Sequence, residues 1–256
     1  MGDQGAEILV VREVHRDFGG VKAVDGASFS ALRGRITGLI GPNGAGKSTL
    51  MGIIAGAIKP VSGAVHFEGE DVTGLAPHLI ARRGIVRTFQ LSAEFAKLTV
   101  LENLLVAAPG QKGESVWGAE LGRRYWGPSE NLVVERARGV LERFAMTPKE
   151  NELAGNLSGG QKRLLEIMRA LMAKPKMLLL DEPFAGVNPT LAREIEAYLI
   201  GLRDEGLSMI MVEHELSVVE RVCDPVVVMA QGKVISEGSM RDVRARQEVI
   251  NAYLVG

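Results

Sequence analysis

Several things are scarce in this 256-residue chain. It has one cysteine, Cys223, so no internal disulfide is available, and a buried, inert thiol in a reducing cytoplasmic location is the plain expectation. Charge of one sign is missing too: 30 Lys and Arg face 31 Asp and Glu, leaving a formal net charge of -1. That balance argues against a protein that wraps nucleic acid, which needs a basic surplus or face. No run approaches the roughly 18 consecutive apolar residues of a membrane-crossing helix, and Met1 to Glu7 holds no basic stretch leading into an apolar one. The expectation is a chain that neither spans a membrane nor is exported. Internal repeats and low-complexity tracts are absent as well. What is present is a 46% hydrophobic content, ample for a core without disulfide or metal staples.

Short apolar runs alternate with longer amphipathic ones, the pattern of an α/β fold with a buried, largely parallel sheet. Ile36 to Ile40, Met177 to Leu180, Met209 to Val212 and Val226 to Met229 read as its strands. Ile8 to Val14, Asp25 to Ala31 and Gly63 to Gly69 alternate more loosely and predict a partly exposed antiparallel layer. Gln231-Gly232 reads as a late hairpin turn. In the middle, Thr99 to Ala108 and Glu130 to Phe144 carry helical spacing around an irregular Gly-rich stretch, Pro109 to Pro128, with Trp117, Tyr125 and Trp126 as packing anchors. Residues 1–256 therefore read as one domain, with 91–159 a helical subdomain inserted in it and 239–256 a short helical tail.

Three motifs carry chemistry. Gly41-Pro42-Asn43-Gly44-Ala45-Gly46-Lys47-Ser48-Thr49 fits the phosphate-loop pattern between an apolar strand and a helix, Ser48 to Ile54. Its glycines let successive N–H groups converge on phosphate oxygens at a helix start. Lys47 would neutralise the β- and γ-phosphates and Ser48 would ligate Mg²⁺. Second, the strand Met177 to Leu180 ends in Asp181-Glu182. Asp181 suits the magnesium shell, through water, and Glu182 suits a general base for the attacking water. Third, Leu157-Ser158-Gly159-Gly160-Gln161 opens a helix, Lys162 to Met172, and offers a second anion site at a capped helix start. An ordinary N-cap explains it equally well from the residues alone.

These residues resemble the ATP-binding cassette (ABC) ATPases over nearly the whole chain. The resemblance implies a P-loop NTPase core of RecA-like type, with an N-terminal antiparallel β layer and an inserted helical subdomain. Leu157 to Gln161 reproduces that family's signature, which in the family closes over ATP held by the phosphate loop of a second subunit. Ser158 and Gly160 are then expected at a partner's γ-phosphate, with Gly159 and Gln161 beside them. Gln90, in Arg87-Thr-Phe-Gln90, resembles the glutamine that senses Mg²⁺, water and the transmembrane partner. His214 resembles the switch histidine that bonds the γ-phosphate and orients Glu182. Phe18 resembles the aromatic that stacks on adenine. His15, His66 and His78 read as surface or packing residues, and Arg82, Arg83 and Arg87 as a solvated helix end. Leu91, Phe95, Leu98 and Val100 are open between a wall for a permease helix and burial in the subdomain. Asn188 stands where many members of the family have Asp.

Ala185-Gly186-Val187-Asn188-Pro189, together with Leu98 to Leu105, Gln161 to Glu166 and the ending Val249 to Leu254, is similar to the ATP-binding subunits of branched-chain amino acid importers. The resemblance implies an ATPase at the cytoplasmic face of the inner membrane, using ATP and Mg²⁺. It implies permease subunits and a second cassette subunit as partners, like or unlike, an external binding protein indirectly, and no nucleic acid. Cassettes serving urea, amides or lipopolysaccharide share parts of these stretches. A soluble iron–sulfur-assembly ATPase and a regulatory cassette without turnover stand as the other classes.

Overall fold

The structure is a computed structural model and describes residues 6–88, 95–109 and 123–255, with side chains described outside 123–130 and 254–255. Gln90 and Leu91 lie outside the described residues, as do Trp117 and the side chains of Tyr125 and Trp126. The chain divides into two compact units, one of 1–87, 176–185 and 199–256 and the other of 88–175 and 186–198.

The first unit holds two sheets. The long strands β1 (Glu7–Phe18) and β2 (Val21–Leu32) form an antiparallel hairpin, turned by Gly19 and Gly20 at positive φ. After β3 (Ile36–Ile40) and helix α1 (Lys47–Ile54), strands β4 (Ser62–Phe67) and β5 (Glu70–Asp71) extend that layer in the order β2-β1-β4-β5. Along β1, Ile8, Leu9, Val11 and Val14 are buried and Arg12 and Glu13 exposed, the alternation being interrupted where the pairing with β2 shifts register. Helix α2 (Pro77–Arg83) then leads into β6 (Ile85–Arg87), a three-residue strand with no signal in the sequence pattern.

The helical unit follows. Helix α3 (Val100–Ala107) starts at a capping box in which Thr99 Oγ1 accepts the Glu102 N–H and the Glu102 carboxylate accepts the Thr99 N–H. Helix α4 (Arg123–Arg143) is longer than the spacing implied: the expected irregular stretch to Pro128 gives way to helix from Arg123. A 21-residue helix absorbs the one missing N–H of Pro128, at a cost of about 3 kcal/mol. Helix α5 (Gly159–Met172) packs on α3 and α4 with Leu164, Leu165 and Met168 buried, so the unit extends beyond the expected 91–159. Helix α6 (Pro189–Asp204) begins in this unit, and the division between units falls inside it, after Tyr198.

The second sheet completes the first unit. Strands β7 (Met177–Asp181), β8 (Ser208–Val212), β9 (Val226–Ala230) and β10 (Lys233–Gly238) join β3 and β6 in the order β10-β9-β3-β8-β7-β6. All neighbours but β10 run parallel. Every residue of β3, β7 and β8 is buried, which explains their continuous apolar runs. The β9–β10 turn is Gln231-Gly232 with φ of 49° and 80°, the two left-handed positions of a tight hairpin. Helices α7 (Leu216–Val222), α8 (Met240–Arg244) and α9 (Gln247–Val255) close the chain as described. The core joins Leu9, Val11 and Phe67 of the first sheet to Leu50 and Ile54 of α1 and to Leu39, Leu179 and Ile210 of the second. Among the described residues, no helix is long and apolar enough to cross a membrane.

Candidate nucleotide site

The loop 41–49 leaves β3 at the carboxyl edge of the parallel sheet, where open α/β sheets receive ligands. Its shape depends on two glycines. Gly41 has φ of 149° and Gly46 of 99°, and a Cβ on them would fall 2.1 Å from the Met229 carbonyl oxygen and 2.2 Å from that of Ala23. No other residue type fits there. Gly44 faces open space at φ 77°, so its freedom serves the turn alone.

Lys47 is buried, and its Nζ donates to the carbonyls of Gly41 and Pro42 at 2.7 and 2.9 Å. Burial lowers its ammonium pKa, while Glu182 and Asp181 oppose that shift. The ammonium is therefore held against its own loop, inside a cleft of about 330 Å³. That cleft is lined by residues 21–23, 43–49, Glu182 and His214. Ser48 is exposed at the start of α1.

Asp181 ends β7 with its side chain fully buried. Its Oδ2 accepts from Arg87 Nη2 at 2.6 Å, while its buried Oδ1 has no partner. The reading of Arg87 as part of a solvated helix end is thereby corrected: Arg82 and Arg83 end α2, but Arg87 turns inward from β6 to the buried carboxylate. Glu182 follows with φ of 48°, a left-handed conformation that L residues adopt at a cost, and such strain gathers at functional sites. Its Oε1 lies 3.0 Å from His214 Nε2. A carboxylate only accepts, so the imidazole donates there.

Glu213 is a residue that the motif reading passed over. Buried beside Glu182, it accepts the Phe184 N–H and the His214 N–H, both at 3.1 Å, and so ties the end of β8 to the loop after the twin carboxylates. Desolvation raises its pKa, with the Glu182 charge adding to the shift. Its only sequence signal is a charge next to His214 after the apolar run Met209 to Val212.

Phe18 ends β1, 46% exposed, with the Arg16 guanidinium 4.5 Å from its ring centroid. It is not among the residues lining the cleft, although Val21, on the adjoining strand, is. His15 lies near Asp25, His66 has an unpartnered buried Nδ1 and His78 is exposed.

The remaining site residues belong to the helical unit. Ser158 caps α5 in a reciprocal box with Gln161: Ser158 Oγ accepts the Gln161 N–H and Gln161 Oε1 accepts the Ser158 N–H. Ser158 and Gly159 are exposed, and Gly160 is buried where a Cβ would fall 2.3 Å from Leu191 Cδ2. Asn188 caps α6 through the Leu191 N–H at 2.9 Å, a role that needs no charge. Of the proposed permease wall, Phe95 is half exposed against Arg169, whereas Val100 is wholly buried and belongs to the unit's core.

The donor set fits magnesium. Among the described residues no three His, Cys, Asp or Glu side chains cluster as a transition-metal cage would require. A buried carboxylate oxygen with no partner, on a residue whose charge is felt by Lys47 of the phosphate loop, together with an exposed hydroxyl on that loop at Ser48, is a sparse oxygen set of the kind this ion takes, with water and phosphate completing its shell.

Comparison with known proteins decides the family, since a model described as "ABC transporter" matches residues 24–185. The chain belongs to the ABC transporter family. It is 41% identical over 248 residues to a probable branched-chain amino acid transport ATP-binding protein, LivG, of Archaeoglobus fulgidus, covering 97% of this chain and 95% of that protein. To the high-affinity branched-chain amino acid transport ATP-binding protein BraF of Pseudomonas aeruginosa it is 37% identical, over 96% of this chain and 97% of the relative. The ADP conformation of an ATP-binding cassette of an ABC transporter superposes with a TM-score of 0.84 at 38% identity, covering 98% of this chain and all of the other. As a family member the chain is a nucleotide-binding ATPase subunit that associates with a membrane permease.

Proposed function

We propose that this subunit energises import of branched-chain amino acids, binding ATP with Mg²⁺ and working at the cytoplasmic face of the membrane. The observation that carries the catalytic part is the pairing of Glu182 with His214 on the cleft that the phosphate loop lines. The cargo assignment rests on the functions named for the relatives and on the resemblance of 185–189 and 249–254 to that subgroup.

In this reading the backbone N–H groups of residues 44–49 and the Lys47 ammonium hold the phosphates. Phe18 stacks on the adenine. Glu182 takes the proton of the attacking water, and its strained backbone with the His214 contact fixes where its carboxylate points. Ser48, Gln90 and, through water, Asp181 would hold magnesium, which would supply charge stabilisation to the phosphoryl group. Ser158 and Gly160 reach the γ-phosphate bound by a second cassette subunit, with Gly159 and Gln161 beside them. Two sites then form in a head-to-tail dimer, and hydrolysis removes the bridge.

Two experiments test this. Glu182→Gln should bind ATP and dimerise, with hydrolysis slowed by roughly 10²–10⁴-fold, the usual contribution of a general base. Near-normal turnover would refute the assignment. Tagging the chain in its native cell, solubilising membranes in mild detergent and identifying co-purifying proteins should return multi-span permease subunits and a second cassette. A soluble assembly without a membrane protein would overturn the importer reading.

A further inference from the structure

The contact between Arg87 and Asp181 brings a cation to the buried carboxylate that ends β7. It joins residues 94 apart in sequence at 2.6 Å, with the Asp181 side chain wholly shielded from solvent and that of Arg87 20% exposed. A buried carboxylate with no counter-charge is strongly unfavourable, so this one needs a cation in every state of the site. Among its described hydrogen-bonding neighbours only Arg87 supplies one. The guanidinium takes Oδ2 and leaves Oδ1 unpartnered. Its other nitrogen, Nη1, lies 3.6 Å from where a Cβ on Gly52 would stand, so the guanidinium sits against α1, the helix that carries Lys47 and Ser48.

From this geometry, and resting on the reading of Asp181 as the carboxylate of the magnesium site, we infer that Arg87 is a positioning residue serving as the resident cation of Asp181. It neutralises the carboxylate whenever magnesium is absent. Two effects follow. Nucleotide arriving without metal meets a neutral ion pair in place of a bare carboxylate that would repel its phosphates. The same guanidinium charge opposes a second cation at Asp181, so binding of magnesium is less favourable than the carboxylate alone would make it. Arg87 thus sets how strongly nucleotide binding depends on metal, and it does so three residues before Gln90.

The test is nucleotide affinity measured twice, with a fluorescent ATP analogue in excess magnesium and in excess EDTA, on the full-length chain. The quantity read is the ratio of the two dissociation constants. Arg87→Met keeps length and removes charge, and should raise that ratio by about tenfold or more, mainly by weakening binding in EDTA. Arg87→Lys keeps a cation and should restore most of the wild-type ratio. An Arg87→Met ratio equal to wild type, with both constants moved together, would show a purely structural contact and overturn the inference. Should Arg87→Met fold poorly, the double variant Arg87→Met/Asp181→Asn decides. Removing the carboxylate charge should recover the lost thermal stability, and failure to recover would refute charge neutralisation. Absence of nucleotide binding by the wild-type chain in magnesium would overturn the site reading itself, and this inference with it. A normal wild-type affinity with an unchanged variant ratio removes the inference alone.

Discussion

Replacing Asn103 with leucine should loosen the turn that opens the helical unit. Asn103 is wholly buried near the start of α3. Its Oδ1 accepts the Phe95 N–H at 2.9 Å, and its Nδ2 donates to the carbonyls of Phe95 at 3.1 Å and Thr99 at 2.9 Å, with Leu98 at 3.4 Å. The three carbonyls keep other partners, because Phe95 O also accepts from Leu98 N, Leu98 O from Ala154 N and Thr99 O from Asn103 N. The group that leucine strips of its partner is the Phe95 N–H. One orphaned donor costs about 1–3 kcal/mol, and the lost carbonyl bonds about 1 kcal/mol more. Added apolar burial offsets roughly 1 kcal/mol. The net expectation is a loss of about 2 kcal/mol, localised to the turn. Hydrogen exchange on residues 95–99 should then quicken by about 30-fold, since every 1.4 kcal/mol is a factor of ten. Asn103→Asp separates hydrogen bonding from volume: its carboxylate accepts the Phe95 N–H but faces three carbonyls. That group's pKa would be raised in the folded state, so the variant is most stable below the unfolded carboxyl pKa of about 3.9 and loses stability as pH rises through the raised value. Exchange in Asn103→Leu within twofold of wild type would refute the reasoning.

Gly160→Ala places a methyl against Leu191 Cδ2, the far end of a half-buried side chain that can rotate away, and alanine gains about 1 kcal/mol of helix propensity. Urea unfolding should therefore shift by less than about 1 kcal/mol while ATP-dependent dimerisation weakens; a large stability loss would make the glycine a packing residue only. Cys223 is buried next to Glu213, and burial pushes its thiol up to about 12, so a thiol reagent should label it only after unfolding. Because that folded-state pKa is raised, its stabilisation is complete below the unfolded thiol pKa of about 8.5 and declines by about 1.4 kcal/mol per pH unit from there toward 12. Rapid labelling of the folded chain at pH 8 would contradict this burial.

Local physics sufficed for much of this protein. Strands buried on both faces must be continuously apolar, so β3, β7, β8 and β9 were legible from hydrophobic runs alone, and the glycines of residues 41–46 announced a loop whose backbone no other residue could follow. The twin carboxylates, the capped helix at Ser158 and the hairpin at Gln231-Gly232 are also readable, because caps and turns are bonds between residues a few positions apart. Charge pairing over long separations has no such trace. Arg87 follows a basic helix end and resembles its neighbours there until β6 pairs with β7 and its guanidinium meets Asp181. Glu213 gains its role only when β7 and β8 lie side by side and two loop N–H groups converge on one buried carboxylate. Sequence by itself determined the fold class, the phosphate loop and the family, all carried by patterns within short windows. The tertiary structure decided which charges are buried and what neutralises them, because desolvation and pairing depend on distances that the chain sets only once it has folded.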